Sequence, residues 1–196
     1  MSGLVALIDA GGANLASVRY ALERLDADVR LVRDADELAG CERVILPGVG
    51  AAAAAMRQLD ARGLGKALRE SELPLLGICL GMQLLYEGSG EGDVECLGLL
   101  EGRVRRLQPA EGVRVPHMGW NQLEDLREDP LLDGIEEGAQ AYFVHGYAAS
   151  PGTDSIASCR HGERFAAVVR RGRVLGMQFH PERSGATGAR LLGNFL

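Results

Sequence analysis

Cys79 has the sequence surroundings of a nucleophile. The apolar run 75–78 predicts a buried strand, and the apolar residues of 80–86 follow with the spacing of a helix. Cys79 is therefore expected at a strand-to-helix corner, where a nucleophile elbow holds its side chain in a strained, exposed position. Gly77 and Gly81 leave room around that corner because neither carries a side chain. A thiol at the first turn of a helix also lies near the positive end of the peptide dipoles, which favours the thiolate form that attacks carbon.

A cysteine nucleophile normally works with a histidine, since a free thiol is only a few per cent ionised at neutral pH. Only one of the four histidines, His180, both stands at the end of a predicted strand and is followed two residues later by a carboxylate, that of Glu182. Alternation along the last predicted strand would point both side chains the same way, with Pro181 ending the strand. The sequence thus predicts Cys79, His180 and Glu182 as nucleophile, base and orienting carboxylate. His117 and His145 are expected to be hydrogen-bonded core or interface residues. His161 is expected to be a solvated residue in a turn.

The order of predicted elements indicates the fold class. Strands are predicted at 3–9, 29–32, 43–46 and 75–78, with helices between them, the first capped by Asn14. A polar, glycine-rich loop is predicted at 87–93, followed by short strands at 104–107, 113–115, 141–147, 155–159, 165–170 and 174–179, and by a final helix capped by Ser184. The pattern predicts a single α/β domain over 1–196, with a mostly parallel doubly wound sheet, helices on both faces and an antiparallel β extension. In such a sheet Cys79 and His180 would meet at the crevice where strands end.

Two glycine-rich turns follow predicted strands. The turn 47–50, with the sequence PGVG, can aim a backbone N–H at a developing negative charge. Alternatively, it is an ordinary connection to the helix that is expected to begin within 51–55. The turn 11–14 lacks a Gly-x-Gly-x-x-Gly fingerprint, so dinucleotide binding is not favoured.

Charge and composition exclude several classes of protein. The net charge of -6 and the absence of a Lys/Arg run on any predicted helix give no attraction for phosphate backbones, so no nucleic-acid partner is expected. No apolar run approaches the roughly 18 residues that span a bilayer, and no basic segment precedes the first apolar residues. A soluble, cytoplasmic protein without membrane contact is therefore expected. The four cysteines are scattered without a Cys-x-x-Cys pair, so no disulfide framework, metal site or cofactor is expected.

Three motifs, in order along nearly the whole chain, resemble the class I, triad-type glutamine amidotransferase family. They are the cysteine motif at 77–83 (GICLGMQ), the histidine motif at 178–182 (QFHPE), and the turn 47–50, which resembles the family's oxyanion loop. Within the family, three further stretches are similar to the glutaminase subunits of imidazole glycerol phosphate synthase: 116–121 (PHMGWN), 142–147 (YFVHGY) and 191–195 (LLGNF).

The resemblance implies hydrolysis of L-glutamine to glutamate and ammonia. Cys79 would attack the side-chain amide to form a γ-glutamyl thioester, and His180, held by Glu182, would protonate the leaving ammonia and then activate water. The backbone N–H groups of Gly50 and Leu80 would stabilise the oxyanion. The family pattern also implies a set of substrate-binding residues: Gly48, Gln83, Glu91, Gly146 and Tyr147. The charge of Glu91 is opposite to that of the substrate's ammonium group, although a solvated loop acid is the alternative interpretation.

The resemblance also implies a partner, because ammonia released into neutral water would be protonated and lost. In the family it passes to a (β/α)-barrel cyclase subunit, which joins the nitrogen to a phosphoribulosyl precursor. The products are imidazole glycerol phosphate, on the histidine pathway, and aminoimidazole carboxamide ribotide. The candidates for the docking surface are Asn14, Met118, Trp120, Asn121, Tyr142 and Arg183, since exposed Met and Trp are typical of interface cores. Alternatively, Met118 and Trp120 are core residues.

Some positions depart from the family pattern. The run 10–14 replaces a sequence like Tyr-Gly-x-Gly-Asn, and a bulky aromatic usually lies near Ala52. Gly146 replaces a Ser or Thr but still offers backbone groups, whereas Arg183 keeps the charge of a Lys without its geometry. These changes affect the expected interface more than the chemistry.

Two other functions stay open. One is a glutaminase that supplies anthranilate, guanylate, carbamoyl phosphate or pyridoxal phosphate synthesis, against which the stretch 118–121 argues. The other is a catalytically silent regulatory subunit, against which the complete set of Cys79, His180 and Glu182 argues.

Overall fold

The computed structural model describes residues 3–9 and 14–196 of the chain. Their strands are β1 Val5–Ile8, β2 Val29–Val32, β3 Arg43–Gly48, β4 Leu75–Cys79, β5 Tyr86–Ser89, β6 Val94–Glu95, β7 Leu100–Arg106, β8 His117–Gln122, β9 Gln140–His145, β10 Tyr147–Ala148, β11 Ser155–His161, β12 Glu163–Arg171 and β13 Val174–Met177. Their α-helices are α1 Leu15–Glu23, α2 Ala52–Ala61, α3 Leu64–Glu70, α4 Leu80–Gln83 and α5 Gly185–Phe195. Short 3₁₀ helices lie at Ala35–Leu38, Pro130–Leu132 and Pro181–Arg183.

The central sheet positions the predicted catalytic residues. Seven strands of the described ranges form it, in the order β11-β12-β13-β4-β3-β1-β2. The strands β13, β4, β3, β1 and β2 are parallel to one another, while β12 pairs antiparallel with both β11 and β13. β4 lies between β3 and β13, and Cys79 is in register with Gly48. The carboxyl ends of these three strands therefore meet at one edge, where open α/β sheets bind ligands.

Helices cover both faces of this sheet. Along β1, Val5 and Leu7 pack in the layer that contains α1 and α5, and Ala6 and Ile8 pack in the layer that contains α2 and α3. A strand buried on both faces has a continuous apolar sequence, which explains why β1 was recognisable. The predicted fold class, a mostly parallel sheet with helices on both faces, is confirmed.

Two smaller sheets extend the domain. β10, β7, β5 and β6 form a four-stranded sheet within the described residues, in which β5 and β7 are parallel. β8 and β9 form a separate antiparallel pair, in which His117 lies opposite His145 and Trp120 lies opposite Tyr142. No helix of 3–9 and 14–196 has the length and apolar character needed to cross a membrane.

Several local predictions were wrong. The helix after Cys79 is a single turn, and the chain returns to a strand at Tyr86, so neither a helix over 80–86 nor a loop from 87 is formed. Tyr86 is buried and pairs with Leu100, a tertiary contact that overrides the local pattern. The strand predicted at 113–115 is also absent among the described strands, and β8 begins at His117 instead. In β8 the usual alternation is inverted, because His117 is buried while the apolar residues Met118 and Trp120 are exposed. The sequence pattern therefore did not indicate a strand here.

The two predicted helix caps have other partners. Asn14 and Ser184 occupy N-cap positions, but neither side chain hydrogen-bonds to its helix. The Asn14 amide instead donates to Glu182, and the Ser184 hydroxyl donates to the carbonyl of His180. The rest of the predicted glycine-rich turn, 11–13, lies outside the described residues, as does residue 10.

Candidate active site

Cys79 lies in a sharp turn at the end of β4. Its φ of 55° and ψ of -112° are unusual for a residue with a side chain. Gly77 and Gly81 allow this turn to pack closely against β3. A Cβ on Gly77 would lie 2.7 Å from the backbone of Gly81, and one on Gly81 would overlap the carbonyl oxygen of Leu46. The turn therefore has the form of a nucleophile elbow, with the strained backbone such turns require.

His180 and Glu182 are held together by a 3₁₀ turn rather than by strand alternation. β13 ends at Met177, and the turn Pro181–Arg183 follows His180 directly. His180 Nδ1 lies 2.9 Å from Glu182 Oε1, and the side chain of Glu182 is fully buried. The predicted pair thus forms, but the strand geometry given as its cause was wrong.

Backbone contacts fix His180 beside β9. The N–H of His180 donates to the carbonyl of Tyr142 at 2.9 Å. The Ser184 hydroxyl donates to the carbonyl of His180 at 2.7 Å and accepts from the N–H of Tyr142 at 3.0 Å. Ser184 therefore links the turn that contains His180 to β9. The sequence predicted only a helix cap at this position.

The electrostatics of the site favour a protonated His180. Burial lowers the pKa of His180, but hydrogen bonds and charge interactions with Cys79 and Glu182 outweigh it and raise this pKa from 6.5 to about 10. Since Glu182 engages Nδ1, Nε2 is the ring nitrogen left to interact with Cys79. A thiol next to an imidazolium is the arrangement that cysteine nucleophiles use.

Gln178 is a contact of the cysteine that we did not predict. Its side chain is fully buried, with Nε2 3.9 Å from Cys79 Sγ and Oε1 accepting from Gln83 Nε2 at 3.1 Å. Gln83 Nε2 also donates to the carbonyl of Tyr147 at 2.8 Å. The signal was present in the sequence, because Gln178 is a polar residue that directly follows a buried apolar strand.

A cavity of about 200 Å³ opens beside the cysteine. Cys79 and His180 line it together with most of the residues expected to bind substrate or stabilise an oxyanion: Gly50, Leu80, Gln83, Glu91, Gly146 and Tyr147. Gly48 is not among the described lining residues. It lies at the end of β3, where a Cβ would be 2.9 Å from the N–H nitrogen of Gly81, so its lack of a side chain allows the elbow to approach.

Glu91 and Gly50 have defined positions at the mouth of this cavity. The Glu91 carboxylate accepts from the N–H of Ala52, the first residue of α2, at 2.9 Å, so it is not a freely solvated loop acid. Gly50 has a φ of 93°, a conformation that residues with side chains rarely adopt. Leu80 is the first residue of α4, the end of a helix at which backbone N–H groups point outward.

Large apolar side chains are exposed on one face of the β8–β9 pair. Met118 and Trp120 are 65% and 56% exposed, so they are not core residues. The Trp120 ring lies 5.8 Å from that of Tyr142, and the Arg183 guanidinium lies 5.6 Å from the Tyr142 ring centre. We call Met118, Trp120 and Tyr142 the hairpin face. Asn121 points the other way, donating to the carbonyl of Arg160 at 2.9 Å.

The three remaining histidines form one cluster beside the cavity, and one of them, His145, also lines it. His117 Nδ1 lies 3.1 Å from His145 Nε2, and the ring of His161 stacks on that of His117 at 4.0 Å. His161 also donates to the carbonyl of Arg114, so the expectation of a solvated turn residue was wrong. Burial lowers the pKa of His117 to about 3 and that of His145 to about 4, which keeps both neutral.

The other three cysteines are free and buried. Burial raises the pKa of each thiol, to about 11 in Cys96 and about 12 in Cys159. Such thiols are poor nucleophiles at neutral pH. Among the residues that the structure describes, no group of three or more His, Cys, Asp or Glu side chains is arranged to hold a metal ion.

Comparison with known proteins identifies relatives along the whole chain. The family model for class I glutamine amidotransferases matches residues 6–196. Subunit HisH of imidazole glycerol phosphate synthase from Xanthomonas axonopodis pv. citri (strain 306) is 66% identical over 192 residues, covering 98% of this chain and 96% of the relative. The subunit of the same name from Xylella fastidiosa (strain Temecula1 / ATCC 700964) is 62% identical with the same coverage. A crystal structure described as a glutamine amidotransferase superposes with a TM-score of 0.77 at 27% identity, covering 99% of this chain and 97% of the other.

Proposed function

Since the chain belongs to the class I glutamine amidotransferase family, we propose that it is the glutaminase subunit of imidazole glycerol phosphate synthase. It hydrolyses L-glutamine to glutamate and ammonia and delivers the ammonia to a cyclase subunit in histidine biosynthesis. One observation supports the chemical part of the proposal: Cys79 and His180 line a single cavity, and the buried Glu182 carboxylate lies 2.9 Å from Nδ1 of His180.

In the first half of the reaction, the Cys79 sulfur attacks the amide carbon of the glutamine side chain. The C=O electron pair moves onto oxygen, where the backbone N–H groups of Gly50 and Leu80 stabilise the negative charge. As this intermediate collapses, His180 gives its Nε2 proton to the amide nitrogen, and ammonia leaves with the electrons of the C–N bond. The enzyme is left as a γ-glutamyl thioester with a neutral His180.

Water completes the cycle. His180 takes a proton from the water as its oxygen attacks the thioester carbon, and the C–S bond then breaks to release glutamate. The sulfur leaves as thiolate beside the imidazolium of His180, which is the starting state. Glu182 holds the ring in one orientation throughout and stabilises its positive charge whenever the ring is protonated, as the carboxylate of a serine-hydrolase triad does.

The cavity also suggests how glutamine is held. The carboxylate of Glu91 attracts the substrate's α-ammonium group, while Gln83 and the backbone at Gly146 and Tyr147 provide polar contacts. Gly48 acts indirectly, by allowing the elbow to approach β3. The loss of a Ser or Thr hydroxyl at Gly146 leaves its backbone groups in place.

We further propose that the partner is a (β/α)-barrel cyclase subunit that docks on the hairpin face. Exposed Met and Trp side chains are typical of interface cores, and both are exposed on this face. Arg183, over the ring of Tyr142, extends the same surface and supplies a positive charge. Both relatives are named as subunits of imidazole glycerol phosphate synthase, which agrees with a heteromeric enzyme.

The experiment that tests this function reconstitutes the chain with a matched cyclase and its phosphoribulosyl ligand. We expect glutamine to support product formation, and we expect the isolated chain to hydrolyse glutamine slowly until the cyclase and ligand are bound. Cys79→Ala should abolish synthesis from glutamine and preserve synthesis from ammonium salts. As the control, Cys96→Ala removes a buried thiol outside the cavity lining and should preserve both activities.

Two outcomes would contradict the proposal. If Cys79→Ala removed ammonium-dependent synthesis as well, the chain would do more than supply ammonia. If the wild-type chain showed no glutamine-dependent synthesis with this cyclase but activated another synthase, the assignment to imidazole glycerol phosphate synthesis would be wrong.

A further inference from the structure

Asn14 reaches the predicted triad from the opposite end of the chain. Its side-chain amide Nδ2 donates to Oε1 of Glu182. The same oxygen accepts from Nδ1 of His180. A continuous series of hydrogen bonds therefore runs from Asn14 through Glu182 to His180, and the His180 side chain in turn interacts electrostatically with Cys79.

This contact replaces the ordinary role of an asparagine at a helix N-terminus. Asn14 precedes α1, where an asparagine oxygen commonly accepts a hydrogen bond from the first turn of the helix. No such bond is formed here, and the backbone of Asn14 is left-handed, with a φ of 81°. Asparagine tolerates that conformation better than most residues. The backbone at this position thus directs the amide away from its own helix and toward Glu182.

Within the part of the chain that the structure describes, few groups donate hydrogen bonds to Glu182. Its side chain is fully buried, and among the described residues its second oxygen, Oε2, has no hydrogen-bond partner. The donors to Oε1 are the ring of His180 and the amide of Asn14. A buried carboxylate needs donors to offset its lost hydration, and a second donor also restricts rotation of the carboxylate about its last torsion angle. The Asn14 amide is placed to provide both effects.

We propose that Asn14 is a positioning residue, whose amide fixes the Glu182 carboxylate against Nδ1 of His180. The inference rests on the proposed function for its kinetic consequence, but not for the hydrogen bonds themselves. It also gives Asn14 a role different from the partner contact expected from the sequence. The two roles make different predictions, because a partner contact is satisfied once the cyclase is saturating, whereas a positioning defect persists.

Two substitutions distinguish the effect of the Asn14 side-chain amide from the effect of its left-handed backbone. Asn14→Gly removes the side chain and accepts a left-handed φ without strain. Asn14→Asp keeps the size and the tolerance of this φ, but sets a second carboxylate beside Glu182. The matched control is Arg19→Ala, which lies on the same helix and loses only an exposed pair with Glu23.

The kinetic expectation is a loss of kcat with little change in KM. At saturating cyclase, Asn14→Gly should lower the glutaminase kcat by on the order of tenfold to a hundredfold, as expected when a charged buried group loses one hydrogen bond. Asn14→Asp should lower it further because the two carboxylates repel. Arg19→Ala should leave kcat within about twofold. An unchanged kcat for both Asn14 variants would overturn the inference, and weaker cyclase binding alone would assign Asn14 to the interface only.

A titration of the histidines by NMR tests the same inference without any activity. The groups that face the His180 ring are Cys79, Glu182 and His145, and Glu182 is one of those that raise the pKa of His180. Asn14→Gly should therefore lower the titration midpoint of His180 while those of His117 and His145 stay low. An unchanged His180 midpoint would overturn the inference even in a folded, active protein. A wild-type chain that lacks glutaminase activity would count against the proposed function instead.

Discussion

The catalytic edge of the sheet and the hairpin face are built in opposite ways. At the catalytic edge, Cys79, His180 and Glu182 are buried and hydrogen-bonded within their own chain. On the hairpin face, Met118 and Trp120 are more than half exposed, with apolar surface that the chain itself does not cover. The comparison teaches that the side chains of one region find their partners within the chain, while the other region leaves an apolar patch of the kind that often marks an interaction site.

Tyr142 lies where the two regions join. Its side chain belongs to the hairpin face, between Trp120 and Arg183. Its backbone carbonyl accepts from the N–H of His180, and its N–H donates to Ser184. A partner that contacts the Tyr142 side chain would therefore contact the same residue whose backbone holds His180 in place. Substitutions that act on only one region test how separate the two are.

The largest expected effect is the loss of the elbow itself. Gly81→Ala would place a Cβ into the carbonyl oxygen of Leu46, and because both partners are backbone, a side-chain rotation cannot relieve the overlap. We expect a loss of about 3 kcal/mol or more in the free energy of unfolding, measured by urea denaturation. Gly193→Ala is the control, because it lies in α5 with open space around it and should stabilise the chain by about 0.5–1 kcal/mol. Equal stability of the two variants would contradict the close packing of the elbow.

Glu182→Gln comes next, since it removes one charge from the catalytic edge without changing its shape. We expect glutamine-dependent synthesis to fall about a hundredfold, or about 2.7 kcal/mol in activation free energy, while ammonium-dependent synthesis is preserved. Binding to the cyclase should be unchanged, because the Glu182 side chain is fully buried and offers no surface to a partner. Weaker binding in a pull-down titration would show that the two regions are not separate.

The same substitution has a pH signature. The pKa of His180 in the folded chain is about 10, above its ordinary value of 6.5, and Glu182 contributes to that rise. Protonation of His180 therefore stabilises the fold fully below about pH 6.5, and this stabilisation is lost as the pH rises toward 10. In Glu182→Gln the loss should occur at lower pH. Urea denaturation between pH 6 and 10 measures how the free energy of unfolding of each protein depends on pH. The same pH dependence in the wild type and in Glu182→Gln would contradict the role of Glu182.

Trp120→Ala tests the other region. A large aromatic side chain at the centre of an interface commonly contributes about 2 kcal/mol to binding, so we expect the dissociation constant of the complex to rise about thirtyfold. The free energy of unfolding of the isolated chain should change little, because the side chain is mostly exposed. Tyr20→Ala, an equally exposed aromatic position on α1, is the control and should leave binding unchanged. A similar loss of affinity in both variants would exclude the hairpin face as the specific docking surface.

The two regions also differed in how much of them could be predicted from the sequence. Continuous apolar runs marked β1 and β4, and the elbow glycines marked Cys79, because burial and close approach restrict the residue types allowed there. The strand β8 was missed because its buried residue is His117, whose polar ring is satisfied by His145 in a strand distant in sequence. The roles of Gln178, Ser184 and Asn14 were hidden for the same reason. Each depends on a partner that only the folded chain brings near, and no local pattern records such a pairing.

The smallest expected effect is that of Arg183→Lys, which asks how much the geometry of a single charge matters at the boundary of the two regions. The Arg183 guanidinium lies over the ring of Tyr142, where a planar cation stacks better than an ammonium group does. Lysine keeps the charge that a partner would meet, so we expect the dissociation constant of the complex to change by about threefold or less, or about 0.6 kcal/mol. The kcat at saturating cyclase should be unchanged, because the contacts of His180 with Tyr142 and Ser184 are made by backbone and hydroxyl groups. If kcat fell while the affinity for the cyclase was unaltered, the Arg183 side chain would act on the turn that holds His180 rather than on the partner. Arg183 would then belong to the catalytic edge and not to the hairpin face.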